Sequence, residues 1–146
     1  MAKVAPTTRK GLADRLCEEH TALARRTDLL RAVADEVGAM PLGRLRHDID
    51  SAYDLLAAGI IPHAQHERDL RLHLAVRDCR RVGVRPDELE LENLTRELAA
   101  VRSRLTDAGG AAAAEELRPI LYELHALAKI HFADELPNNA AGSRRH

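Results

Sequence analysis

Apolar residues recur at alternating steps of three and four in four segments of the chain, the spacing that keeps one face of an α-helix turned towards a core. The first segment runs from about Gly11 to Val37, with Ala13, Leu16, His20, Leu23, Thr27, Leu30, Ala34 and Val37 on its face, and "GAMPLG" ends it. The second runs from about Leu45 to Arg80, with Ile49, Tyr53, Leu56, Ile60, His63, Glu67, Leu70 and Leu74 in its stripe. Pro62 lies inside it, removes one backbone hydrogen bond and predicts a bend. After the break "RRVGVRPDE", Pro86 suits the first turn of a third helix, which carries Glu88, Leu91, Leu94, Leu98, Val101 and Leu105. "TDAGGAAAA" separates this from a fourth, with Leu117, Leu121, Leu124, Ala128, His131 and Glu135 on its face. Short breaks between four helices predict an all-α fold, an up-down-up-down antiparallel four-helix bundle. Residues 1–10 read as an N-terminal extension, 11–135 as the bundle and 136–146 as a tail without period.

Composition agrees with helices over sheets. The apolar mass is Leu, Ala and Val, Trp is absent, and the aromatics are Tyr53, Tyr122 and Phe132. The 146 residues are the size of one domain. The 22 basic and 23 acidic residues are spread along the chain and leave a net charge of -1, so neither nucleic acid nor an anionic membrane is an expected partner. No apolar run is long enough to span a bilayer, and "MAKVAPTTRKGLADRL" lacks the apolar region of a secretory signal, so a cytoplasmic location is expected. Cys17 and Cys79 are then expected as reduced thiols.

The eight histidines carry the remaining information. A single histidine in an apolar stripe is ordinarily a hydrogen-bonded core residue. Here the topology gathers several. In an up-down bundle the start of the first helix, the end of the second, the start of the third and the end of the fourth share one end, which collects His20, His63, Glu67, Glu88, His131 and Glu135. Burying so many ionisable groups costs several kcal/mol each unless a positive charge sits among them. The three carboxylates carry -3, close to balance with two divalent cations and a bridging hydroxide. In both His-x-x-x-Glu pairs, His63 with Glu67 and His131 with Glu135, the side chains lie one turn apart, about 6 Å along the axis, and face the same way. Mixed imidazole and carboxylate donors without thiolate suit iron, manganese or zinc in a non-structural site, and two iron ions with an oxo or hydroxo bridge are the first expectation. Glu88 also fits a helix start for reasons of capping and dipole, and Glu92, one turn on, is the substitute ligand if the register differs. His47, His66, His73, His125 and His146 lie off the stripes or in the tail.

One inward histidine on the first helix followed by His-x-x-x-Glu on the second and on the fourth resembles the hemerythrin-like, or HHE cation-binding, family. "IIPHAQHE" and "LYELHALAKIHFADE" are similar to its second- and fourth-helix ligand segments, and the resemblance covers about residues 15 to 135. It implies a non-heme di-iron protein that meets dioxygen, peroxide or nitric oxide, with His20, His63, Glu67, His131 and Glu135 as ligands. The third helix departs from the family in having no histidine, with Glu88 in its place. An added carboxylate favours the ferric state, and with it an oxidase or peroxide-consuming site over reversible oxygen carriage. Two other functions fit the same residues. One is a di-iron oxidase acting on a small organic substrate, which needs a cavity beside the metals, where Ala24, Ala128 and Gly59 are small. The other is a metal-free helical interaction module in which the histidines pair with glutamates. Periodicity leaves the oligomeric state open.

Overall fold

The computed structural model describes residues 9–77, 85–106 and 110–133, and among these the chain is helical throughout, with no strand. Glu135, Cys79 and the tail from 136 lie outside the described residues. The helices are α1 (Arg9–Arg26), α2 (Asp28–Glu36), α3 (Leu42–Asp54), α4 (Ile61–Arg77), α5 (Pro86–Arg102) and α6 (Gly110–Ala133), with a π-helical turn, Leu55–Ile60, joining α3 to α4. None is long and apolar enough to cross a membrane.

Four of the six come from two predicted segments, each of which has a local irregularity. The first segment breaks at Thr27, which is fully buried and whose hydroxyl donates to the Ala24 carbonyl at 2.8 Å. That side-chain bond competes with the helical ladder, which tightens into a Leu30 N–H to Thr27 carbonyl bond of 3.1 Å before α2 resumes. The second segment continues through Pro62 as expected, but its irregularity takes a particular form. The Ile61 N–H reaches back five residues to the Leu56 carbonyl, and the widened turn sits directly before the proline, where a ladder bond is missing in any case. The start of α5 follows the expectation: Arg85 is extended, Pro86 opens the helix, and Asp87 and Glu88 occupy the first turn, where their charge complements the dipole.

Side-chain contacts give the relative run of the segments. His20 meets Phe132, Asp28 meets His125 and Lys129, and Asp35 meets Tyr122, so positions descend along α6 as they ascend through α1 and α2. Asp50 pairs with Arg102 and Arg71 with Glu88, so α3 and α4 match α5 in the same opposed sense. The stripes read from the sequence face inward: Leu30, Leu56, Leu98, Leu121 and Leu124 are fully buried in one large apolar cluster. A second, small cluster contains Leu16 and Leu70, with Leu12, Ala13 and Cys17 packed against it. On α1 the large cluster stops at Leu23 and on the second segment at Ile60. Between the two clusters the stripes hold His20 on α1 and His63 and Glu67 on α4. The polar level therefore interrupts the core, and what compensates it has to be sought in the side chains themselves.

Candidate metal centre

Glu67 stands at the middle of this level. It is buried, and its Oε1 lies 2.6 Å from His63 Nε2, 3.1 Å from His131 Nε2 and 3.9 Å from His20 Nδ1. His63 and His131 are both buried, and the His20 side chain is 16% exposed. The three residues come from α1, α4 and α6, with Glu67 one turn beyond His63 on α4. One donor atom each from His20, His63 and Glu67 lies within 4.8 Å of the others, a group that could hold a metal ion.

The far nitrogen of every ring faces an acceptor. His20 Nε2–H donates to the Phe132 carbonyl at 3.0 Å, and His63 Nδ1–H donates to Glu19 Oε1 at 3.1 Å. His131 Nδ1 lies 3.6 Å from Asp87 Oδ2. A neutral imidazole carries one N–H and one lone pair, so these partners fix the tautomers and turn the lone pairs of His20 Nδ1 and His63 Nε2 towards Glu67. His131 Nε2–H donates to Glu67 as the chain stands; with its proton on Nδ1, facing Asp87, it becomes a third nitrogen donor. His20 Nδ1, His63 Nε2 and His131 Nδ1 are buried with no hydrogen-bond partner, and so is Asp87 Oδ2, which at 3.6 Å from His131 Nδ1 is too far to bond it. A lone-pair nitrogen 2.6 Å from a carboxylate oxygen and not aligned for a hydrogen bond is repulsive without a cation or a proton between them. The orphaned donors and their nitrogen and oxygen chemistry fit a metal ion.

In the metal-free chain the carboxylate and the imidazoles shift one another's titration. The Glu67 carboxylate beside His20 raises that imidazole above its ordinary value, against the opposing effect of burial. Burial lowers His63, but the Glu67 and Glu19 carboxylates together outweigh it and leave the group raised. For Glu67 burial acts upward, and the hydrogen bond of His131 together with the adjacent His20 and His63 imidazoles overcomes it and holds the carboxyl below the usual carboxylate range.

Glu88 is placed differently from the four residues above. It is buried at the start of α5, but its Oε1 accepts from Arg71 at 2.6 Å, and it is not part of the compact donor group among the described residues. Its Oε2 is buried without a hydrogen-bond partner. Arg71 neutralises this carboxylate, so one of the three negative charges that pointed towards two cations is already balanced. Glu92 is exposed to an intermediate degree on the same helix and enters no described contact with the centre. Replacing Arg71 with methionine strands a buried carboxylate and is expected to cost about 2 kcal/mol, less than a fully buried pair because the arginine is one-fifth exposed. Urea unfolding at neutral pH reads it, and the variant should keep its metal.

Four participants were not found by the periodic pattern: Glu19, Asp87, Phe132 and Arg71. Phe132 places its ring 5.0 Å from that of His20 and 5.1 Å from that of His131, centroid to centroid, and screens the centre while its carbonyl orients His20. Glu19 is 40% exposed and serves His63 from the rim. Glu19→Gln is expected to lower metal affinity about tenfold, the lower end for loss of a group that orients a ligand, with little change in melting temperature. Competition against a chromophoric chelator measures it; unchanged affinity would remove Glu19 from this role.

Comparison of the chain with protein families, with curated proteins and with solved structures found no match in any of the three.

Proposed function

We propose that this protein is a hemerythrin-like, non-heme iron protein that binds or reacts with dioxygen, peroxide or nitric oxide, its helical segments running up-down-up-down antiparallel. The observation that carries the reading is the convergence of three imidazoles from three helices on Glu67, each with its second nitrogen facing an acceptor. A merely structural histidine cluster has no need to leave three buried ring nitrogens without a hydrogen bond, two of them turned towards Glu67; a ligand set does.

His20, His63, Glu67 and His131 would hold the first ion. A second would draw on Glu135 and on the unpartnered oxygens of the carboxylates that open α5, Asp87 and Glu88. Iron, when bound, supplies the one-electron chemistry by which dioxygen, peroxide or nitric oxide is bound or reduced. The residues of the chain do the rest. Glu19, Asp87 and the Phe132 carbonyl keep the imidazole lone pairs aimed inward and hold the ring protons on the far nitrogens. Phe132 and the two apolar clusters limit access of water.

A second reading, a di-iron oxidase of a small organic substrate, has an observation in its favour. A pocket of about 360 Å³ opens beside His63 and includes Gly59, one of the small residues expected near a cavity.

Metal content per chain decides first. Protein expressed without an affinity tag and purified without chelator is expected to contain iron by mass spectrometry, and the ratio to chain distinguishes one ion from two. Manganese or zinc in its place would move the chemistry to another metal on the same donors. No transition metal, even after anaerobic addition of ferrous iron, would overturn the proposal and leave the helical interaction module.

A further inference from the structure

The pocket beside His63 lies between α1 and the π-helical turn. Its walls are Leu23 and Arg26 from α1, Gly59 from the turn, and Pro62 and His63 at the start of α4, with Glu19 at the end nearest the centre. The widened turn sets the second segment locally off its α-helical path, and the missing side chain at Gly59 lets Leu23 of α1 pack directly against it: a Cβ there would stand 2.9 Å from Leu23 Cδ2. The volume suits a molecule of roughly ten to fifteen non-hydrogen atoms.

The charges in the pocket select the ligand. Glu19 is committed to the His63 ring. Arg26 lies exposed on the wall and, among the described residues, has neither a hydrogen bond nor an ion pair. A guanidinium with free donors matches a carboxylate in geometry and charge. His66 is the other polar side chain of the lining, and the rest of the wall, Ala22, Leu23, Ala58, Gly59 and Pro62, is apolar. We propose that this pocket binds a small organic monocarboxylate, its carboxylate on Arg26, its apolar body on Leu23, Gly59 and Pro62, and its far end against His63. The binding stands on the pocket alone; that such an acid is the ligand presented to the metal centre rests on the function proposed above.

Phenylacetate serves as the probe and phenylacetamide, of equal size without charge, as its control. Titrations are followed by two-dimensional amide NMR on the protein as purified and again after treatment with chelator. Phenylacetate is expected to shift residues around Arg26, Gly59 and His63 saturably, with a Kd on the order of 1 mM, the range for a ligand of this size. Arg26→Gln should weaken it about tenfold, and phenylacetamide should bind no better to the wild type than phenylacetate does to that variant. Ala22→Leu, at an exposed position of the pocket wall, should block binding without disturbing the fold. Equal shifts from acid and amide, shifts scattered away from the pocket, or binding untouched by both variants would overturn the proposal. The chelated sample separates the two claims: a protein that holds no metal yet binds phenylacetate loses the function proposed above and keeps the pocket.

Discussion

Glu67→Ala is expected to abolish stoichiometric metal binding and to lower the melting temperature of the chelator-treated protein by about 10 °C. The first effect follows from position, because among the described residues Glu67 is the one side chain that all three imidazoles approach and the only carboxylate in the compact donor group. The second follows from charge. The metal-free chain keeps raised imidazoles in place by means of this carboxylate, and removing one partner from such a buried network costs about 3 kcal/mol, limited here because the histidines can release protons in response. For a chain of this length each kcal/mol is about 3 °C. Glu67→Gln separates the two contributions. The amide keeps the volume and can still accept a hydrogen bond from His131, so it should recover part of the stability while still failing to hold metal. An alanine variant that retained its full metal content would sink the ligand assignment.

Metal and pH are expected to act on stability with opposite signs. In the metal-free protein His20 and His63 titrate above the ordinary imidazole value of 6.5. Their contribution is complete below that value and is lost as the pH rises through the higher folded values. Glu67, lowered from 4.5, contributes above that value, and its share is lost only as the pH falls through the depressed folded value. Chelated protein should therefore be most stable in the mildly acidic range and weaken towards pH 8 to 9. The loaded protein should do the reverse over the same interval, because protons compete with metal for the imidazole lone pairs. With free metal at about a thousand times its Kd, binding adds about 4 kcal/mol. Scanning calorimetry of loaded and chelated samples should thus show a gap of about 13 °C at pH 8.5 that narrows steadily towards pH 5.5. Curves that coincide at every pH would mean that the histidines and carboxylates only pair with one another, as a metal-free helical module requires.

The stripe residues were legible because burial on a helix is periodic. Leu30, Leu56, Leu98 and Leu121 follow from steps of three and four, and so do His63, Glu67 and His131, polar residues at positions that periodicity reserves for the core. The groups that make a site of them were not legible, and for one physical reason. Glu19, Asp87 and Phe132 each adjoin a stripe residue in sequence, and a step of one residue turns the side chain by about 100° around the helix. From the pattern alone such a position reads as flank or solvent. It reaches a neighbouring helix's histidine only because of how closely and at what rotation the helices pack, and a single sequence's period carries neither quantity.

The pairing of Glu88 shows the same division. Its inward position was fixed by the stripe, and it is buried. Whether it faces the histidines or Arg71 depends on the offset between α4 and α5, and the structure sets it against Arg71 at 2.6 Å. Likewise Pro62 announced an irregularity, since a residue without an N–H must interrupt the ladder wherever it stands. That Gly59 on this widened turn takes the close approach of Leu23 was decided by how α1 packs against it. By itself the sequence determined helical content, the inward face of each helix and the presence of ionisable groups on those faces, because each is set by contacts within a few residues of the chain. The partner of Glu88 and the tautomers that Glu19 and the Phe132 carbonyl impose were decided by the tertiary structure, since they depend on distances of a few ångströms between residues 17 to 112 positions apart.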